Sequence, residues 1–375
     1  MKRLNITVLE PFFSGSHQKW AQGLQKHSHH NIEILSLPGR HWKWRMHGGA
    51  VSLAKAFNDT DFVSDLILGT SMLDLTTFLS LCRDKTAGIP TAMYFHENQL
   101  TYPWSPVDED VDKQRDNHYC FINYVSALAA DQVFFNSEYH RQSFLDALPE
   151  FLQQFPDKRE KDNVDAIASK SMVLHLGMEL SSMDAFQSSE KEKYADPVIL
   201  WNHRWEYDKN PREFFEVLFK LQEEEHDFKL VVLGERTNKY PPVFDEAKAK
   251  LSEHILHWGY ADSFEEYARW LWRADVYPVT SNQDFFGGSV VEAMYCNCYP
   301  LLPNRLAYPE HIPQKIHRDY LYENRELQAR LESAIRDFMV LRQVDYQSMV
   351  KHYDWSAITD NYDRRLLQVV DTVIE

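Results

Sequence analysis

The sequence predicts an α/β protein made of two Rossmann-like domains, and three observations predict it. Short β-rich runs alternate with helical patterns along the chain. The alternation breaks into a polar stretch near residue 180 and then starts again. The densest groups of polar residues and glycines directly follow strand candidates. A βαβα order implies a mostly parallel sheet with helices on both faces. Ligands on such sheets bind outside the carboxyl ends of the strands. At 375 residues the chain is long enough for two ordinary domains. Two such domains facing one another would leave a cleft.

In the first half, Leu4–Leu9 reads as a strand, followed by a turn through Pro11–Ser16 and a helix from His17 to about Lys26. Ile32–Leu37, Leu66–Gly69, Thr91–Phe95, Gln132–Phe135 and Met172–Leu176 are further strands, with a strong helical pattern over Asn117–Ala130. Residues 149–170 are polar without clear periodicity and read as an insertion or exposed loop. The polar stretch 177–196 reads as the interdomain linker. The second half gives strands at Val198–Trp201, Lys229–Leu233, Ile255–His257, Val276–Val279 and Tyr299–Leu302, an amphipathic helix over Pro211–Glu224, and a last helix over Ala357–Val373. The expected division is 1–180, 181–355 and a final helix 356–375.

Composition narrows the function. With 44% hydrophobic residues, 10 Trp, 19 Tyr and 22 Phe, aromatics remain for binding surfaces after the cores are filled. No apolar run reaches the length of a membrane span, and the start Met1-Lys-Arg-Leu-Asn5 lacks a signal-peptide core. The four cysteines form no Cys-x-x-Cys pair, so buried free thiols in a reduced, cytoplasmic protein are expected. A net charge of −16 argues against general nucleic-acid affinity. It leaves room for a local basic patch, and Gly39-Arg-His-Trp-Lys-Trp-Arg-Met-His47 is one. Rings there could stack on single-stranded RNA bases while Lys and Arg meet phosphate. A structural loop whose tryptophans pack inward is the plainer alternative.

The motif with most chemistry is Asp284-Phe-Phe-Gly-Gly-Ser-Val-Val-Glu292. It follows a buried strand and runs into a helix start at Val291. Free N–H groups and the positive helix end can meet phosphate there, and Gly287 and Gly288 let the backbone come close. Asp284 and Glu292 can accept hydrogen bonds from sugar hydroxyls. Upstream, Trp201-Asn-His-Arg-Trp-Glu-Tyr-Asp-Lys209 places Arg204 and Lys209 to converge on a diphosphate. In the first half, Phe13-Ser-Gly-Ser-His17 is not a P-loop. His96-Glu-Asn-Gln99 sets four polar side chains at a strand's carboxyl end. Zinc at His96 and Glu97 fails on ligand count. Asp108-Glu-Asp-Val-Asp112 and His27-Ser-His-His30 read as solvated surface.

These segments resemble the donor site of family 4 glycosyltransferases, GT-B enzymes that use nucleotide-sugars. An acid-x7-Glu motif and an upstream Arg…Lys pair hold the donor in that family, which usually carries Glu where this chain has Asp284. Phe95–Pro103, Gly39–Arg45, His203–Lys209 and His257-Trp-Gly-Tyr260 are more particular still. They are similar to the tRNA-queuosine α-mannosyltransferase branch, and the similarity runs over nearly the whole chain.

The resemblance implies mannose transfer from GDP-mannose to the cyclopentenediol of queuosine in a tRNA anticodon, with retention and without a metal or bound cofactor. It implies catalytic roles for His96, Asp284 and Glu292. Donor contacts would come from Gly15, Arg204, Lys209, Gly234, Glu235, Tyr260, Phe286, Gly287, Gly288, Ser289 and Glu292. Acceptor or tRNA contacts would come from His17, Lys19, Trp42, Lys43, Trp44, Arg45, Asn98 and Gln99. The first domain would bind the acceptor, the second the nucleotide-sugar, and the last helix would cross back to the first domain. The expected state is a monomer or weak oligomer away from membranes. Two rivals are a family 4 enzyme acting on a lipid or cell-envelope glycan, and a non-catalytic sugar- or RNA-binding module.

Overall fold

The computed structural model describes residues 2–104, 117–187, 195–236 and 239–374. They form two compact units, one of Met1–Met178 with Trp355–Glu375 and one of Glu179–Asp354.

The sheet of the first unit contains β1 (Asn5–Phe13), β2 (Asn31–Pro38), β3 (Leu66–Thr70), β4 (Thr91–Phe95), β5 (Gln132–Phe135) and β6 (Ser171–Val173). The strands lie in the order β2-β1-β3-β4-β5-β6, and every pairing is parallel. β3 and β4 are buried along their whole length, as strands covered on both faces must be. The chain leaves β1 to one side for β2 and returns to the other for β3, so the topological switch lies between β1 and β3.

Two expectations for this unit are corrected. Residues 149–170 are not an exposed insertion. Helix Glu138–Gln153 continues through Pro149 and buries Phe144, Leu145, Leu148, Phe151 and Leu152 on one stripe, and a second helix spans Asn163–Ser169. Pro149 misled because proline usually ends a helix; near the C-terminal end it gives up little. Likewise Gly39–His47 is not a loop, since an 18-residue helix starts at Trp42 (Trp42–Asp59).

The last helix, Trp355–Ile374, belongs to the first unit. Trp355 is 1% exposed, and a Cβ on Gly23 or Gly177 would overlap its indole. Trp20 Nε1 donates to Tyr362 Oη at 3.0 Å, and His30 bridges Leu4 N and the Asp363 carbonyl. His30 is therefore a structural clamp.

The second unit repeats the plan with β7 (Val198–Asn202), β8 (Lys229–Leu233), β9 (Ile255–Trp258), β10 (Val276–Pro278), β11 (Tyr299–Pro303) and β12 (Leu321–Tyr322) in the order β12-β11-β10-β7-β8-β9. Its switch point falls between β7 and β10. β12, only two residues long, carries no sequence signal of its own. The stretch after residue 177 is only partly a linker: Leu180–Phe186 forms a 3₁₀-helix whose Leu180 and Met183 are buried in this unit, where Trp272 Nε1 donates to the Met183 carbonyl at 2.9 Å. The Asp108–Asp112 run lies outside the described residues. Among the described residues no helix is long and apolar enough to cross a membrane.

Candidate active site

In the second unit, the segments that leave β7 and β10 flank the switch point, and their side chains meet. Gly287 caps helix Gly288–Tyr295 with φ +88°, and a Cβ there would press on the Tyr308 ring at 3.0 Å. Helix geometry leaves the first amides of Gly288–Tyr295 without intrahelical acceptors. The helix starts three residues before the expected Val291, because Gly287 and Asp284 already close the turn.

Asp284 makes that turn. Its Oδ1 accepts from Gly287 N at 2.8 Å and Phe286 N at 3.4 Å, and its Oδ2 accepts from Tyr308 Oη at 3.3 Å. Lys209 Nζ stands 3.5 Å from Asp284 Oδ2 and 3.3 Å from Asp208 Oδ2, and donates to the Gln283 carbonyl at 2.6 Å. Burial alone would push the Asp284 carboxyl up, but Lys209 and the two loop amides hold it below the usual range. Burial would lower Lys209, and its two aspartates reverse that, so the ammonium stays charged. Asp284 therefore orders the phosphate-facing loop first. Its capacity for a sugar hydroxyl is what remains of four lone-pair positions.

His203, overlooked in the sequence as anything but a neighbour of Arg204, sits in the middle. Its Nε2 lies 2.9 Å from Tyr277 Oη, which donates onward to the Asn202 carbonyl at 3.0 Å, so Nε2 carries the proton. Its Nδ1 faces Ser289 Oγ at 3.4 Å on the helix turn. Burial, with Lys209 and Arg204 adding to it, drives the His203 pKa down to about 3. The imidazole is neutral at physiological pH. The Arg204 side chain is 54% exposed and 3.2 Å from Glu206 Oε2.

Glu292 lies on the second turn of the helix and accepts from Tyr267 Oη at 2.6 Å; Tyr267 in turn accepts from Asn202 Nδ2 at 2.8 Å. Gly234, at the end of β8, has φ +107°, and a Cβ there would overlap the His203 carbonyl oxygen. The Trp205 N–H to Glu235 carbonyl bond at 3.0 Å locks the two turns together. The Glu235 side chain and Tyr260, 73% exposed, point outward. The Phe286 ring is buried against His311 and Tyr353, so only its backbone can face a ligand.

In the first unit, His96 directly follows β4 and is 8% exposed. Trp20 and Tyr94 stand edge-on to its ring, each 4.8 Å away, and His17 lies 4.2 Å off at a 34° tilt. Its Nε2 is buried with no hydrogen-bond partner among the described residues. Burial holds His96 well below the usual histidine range, with His17 and His140 adding to it. An orphaned buried nitrogen costs free energy unless a ligand completes it. His17 bonds Glu10 at 3.1 Å, and the side-chain ligand atoms of Glu10, His17 and His96 all lie within 4.8 Å of one another, the one buried group among the described residues able to hold a metal ion. Gly15 takes φ +54° in open space, and Lys19 is exposed on the same helix as His17.

Asn98 is corrected from acceptor reader to turn former. Its Oδ1 accepts from Leu100 N and Thr101 N, each at 3.0 Å, its Nδ2 donates to Thr101 Oγ1, and the residue is fully buried. The backbone of Gln99 is likewise held, by Asn123 and Cys120.

The basic–aromatic segment divides in two. Trp42 packs on Tyr119 and Trp104 with Lys43 over Trp42 and Trp104, and Arg45 Nε binds the Pro38 carbonyl. Trp42 is thus partly buried in packing within the unit. Trp44 is 64% exposed and lies across Gly48, which has no side chain to displace it. If the patch reads RNA, Trp44→Ala is expected to weaken tRNA binding by about 1–3 kcal/mol with the melting temperature unchanged, whereas Trp42→Ala is expected to lower the melting temperature; filter binding and thermal melting on both variants check this.

Residues 182–351 match the family model for glycosyl transferases group 1. The fold is that of solved enzymes with little sequence in common. The Anabaena protein HepE, crystallised with UDP and glucose, aligns with a TM-score of 0.67 at 13% identity over 98% of this chain and 100% of its own. Sucrose-phosphate synthase from Thermosynechococcus elongatus aligns with a TM-score of 0.69 at 13% identity over 99% of this chain and 100% of its own. Fold and matched family model together define a glycosyltransferase of the GT-B plan, with two Rossmann-like units. Residues 5–178 match the N-terminal model of tRNA-queuosine alpha-mannosyltransferase, and the chain is 35% identical over 318 residues to the Drosophila melanogaster enzyme of that name, covering 83% of this chain and 82% of the fly protein. The chain belongs to the tRNA-queuosine alpha-mannosyltransferase family.

Proposed function

We propose that this protein transfers mannose from GDP-mannose to the cyclopentenediol of queuosine in a tRNA anticodon, with retention of the α configuration. The observation that carries the donor half is the loop that Asp284 closes onto the start of helix Gly288–Tyr295, with the Lys209 ammonium 3.5 Å from Asp284 and Ser289 Oγ 3.4 Å from His203 Nδ1, and Arg204 on the adjoining turn. The two cations and a row of amides can take up the charge that grows on the leaving diphosphate. That arrangement does the work a divalent ion does elsewhere, so turnover is expected to persist in EDTA. Glu292, aimed by Tyr267, meets a ribose or sugar hydroxyl, and in the first unit the buried His96 Nε2 offers a hydrogen-bonding atom to a ligand. The acceptor half rests on family membership and on the exposed Trp44 platform.

Arg204→Ala tests the clamp. Losing one partner of a buried charge pair costs about 2–5 kcal/mol. Arg204 is half exposed, so the low end applies, and GDP-mannose should bind roughly thirtyfold more weakly with an unchanged melting temperature. Calorimetry that finds the wild-type affinity removes Arg204 from the donor site.

A further inference from the structure

We infer that His311 is a positioning residue for the donor: its Nε2–H holds the Phe286 carbonyl and so fixes the peptide that leads into the amides of Gly288 and Ser289. The inference rests on the donor reading proposed above and assigns to one side chain the shape of the loop that would meet the diphosphate.

The loop enters helix Gly288–Tyr295 through two peptide planes. Each is trans, so its carbonyl and its N–H point opposite ways. In the first plane the Gly287 N–H donates to Asp284 Oδ1 at 2.8 Å, and the Phe286 carbonyl accepts from His311 Nε2. In the second, the Gly287 carbonyl accepts from Val290 N at 2.9 Å and Val291 N at 3.1 Å. The Gly288 N–H therefore points the other way, out of the helix end. Gly287, with φ +88°, is the joint between the two planes. Glycine resists rotation less than any other residue. The first plane is thus held by its partners, one inside the loop and one outside it.

His311 is 2% exposed and ends the 3₁₀-helix Tyr308–His311, which follows β11. Side chains three apart eclipse on such a helix, so Tyr308 and His311 reach the same loop. Tyr308 Oη meets Asp284 Oδ2 at 3.3 Å while His311 takes the carbonyl. A carbonyl only accepts, so His311 Nε2 carries the proton. His311 Nδ1 lies 3.2 Å from Tyr353 Oη. Burial, with Glu310 adding to it, pushes the Tyr353 hydroxyl up, so it stays protonated and donates to Nδ1. The rings of Phe286 and Tyr353 stand edge-on to the imidazole at 5.1 and 5.5 Å and keep it from turning over.

The two ring nitrogens therefore do separate work. Nδ1 ties the imidazole to Tyr353, and Nε2 ties it to the loop. Without the Nε2 donor the Phe286 carbonyl is buried and unpaired, which a peptide next to a glycine can relieve by rotating. Gly287 N then leaves Asp284, and the amides of Gly288 and Ser289 lose their direction. A histidine that only filled space would make no distinction between its nitrogens.

The test uses that distinction. His311→Gln carries an amide at the place of Nε2, and His311→Asn carries one at the place of Nδ1. GDP binding by calorimetry, thermal melting, and amide exchange over residues 284–290 are measured on both. His311→Gln should keep GDP affinity and slow exchange near wild type. His311→Asn should bind GDP about tenfold more weakly, the worth of one ordinary hydrogen bond, and exchange faster. Wild-type affinity in folded His311→Asn overturns the inference, as does a loss in His311→Gln equal to that in His311→Asn. Histidine ¹⁵N NMR of the wild type, assigned by the signal that His311→Gln lacks, should show a neutral Nε2–H tautomer; an Nδ1–H tautomer overturns the inference whether or not His311→Asn folds. Wild type that binds neither GDP nor GDP-mannose contradicts the donor reading, and does so before any variant is made, so the two failures are distinct.

Discussion

Lys209→Met should lose donor binding and stability together. The ammonium stands between Asp208 and Asp284 and is 9% exposed. Removing it leaves two buried carboxylates facing each other without a cation. Breaking a buried pair in this way costs about 3–5 kcal/mol, and for a unit of this size about 2–4 °C of melting temperature goes with each kcal/mol. A drop of roughly 10 °C is therefore expected at neutral pH. The deficit has a definite pH dependence. In the wild type Lys209 offsets the burial of Asp284; without it no cation opposes burial, and the Asp284 carboxyl rises. A group raised on folding is destabilising above its unfolded pKa and harmless below it. The melting temperatures of variant and wild type should accordingly converge as pH falls towards 4. A variant with wild-type stability and no donor affinity would show that Lys209 acts on the ligand alone. The contrast with Arg204→Ala is informative, because the exposed arginine affects binding and leaves the fold unchanged.

Gly234→Ala is expected to be as damaging through a different cause. The residue contributes no side chain and touches no ligand by one. Its φ of +107° lies where an L side chain is strained, at a cost of about 1–3 kcal/mol. The added methyl would also overlap a backbone carbonyl, that of His203, and a backbone cannot turn aside as the end of a side chain can. The β7 turn must shift, and with it His203, Arg204 and the Trp205–Glu235 bond. Donor affinity should fall at least tenfold and the melting temperature by several degrees. Gly259→Ala is the control: φ is +125° but nothing lies within 4 Å, so strain remains without the collision and donor affinity should be affected much less. Equal effects in the two variants would show that strain, and not the approach to His203, matters at Gly234.

The parts of the site that could be read from sequence are those whose chemistry is local. Asp284, Gly287 and Glu292 lie within one turn and helix, and strand boundaries such as Thr91–Phe95 and Gln132–Phe135 follow from apolar runs with clear stops. What could not be read depends on partners far apart in the chain. Tyr267 orients Glu292 from 25 residues away and Tyr277 holds His203 from 74 away; in sequence both tyrosines are aromatics among core residues. Glu10 was missed because the expected strand stopped at Leu9, whereas β1 runs on to Phe13 and buries the carboxylate. Asn98 misled in the opposite direction, since a row of polar residues at a strand end serves turn formation as readily as binding. Trp42 and Trp44 are two residues apart and so face different ways on a helix, a distinction that vanished when the segment was read as a loop.

The most direct test is to incubate the purified protein with GDP-mannose and queuosine-containing tRNA, then digest the tRNA and weigh its nucleosides by mass spectrometry. One hexose is expected on queuosine, formed in the presence of EDTA, cut from the nucleoside by an α-mannosidase and absent with Lys209→Met. Unmodified queuosine after incubation of a protein that demonstrably binds GDP-mannose would contradict it.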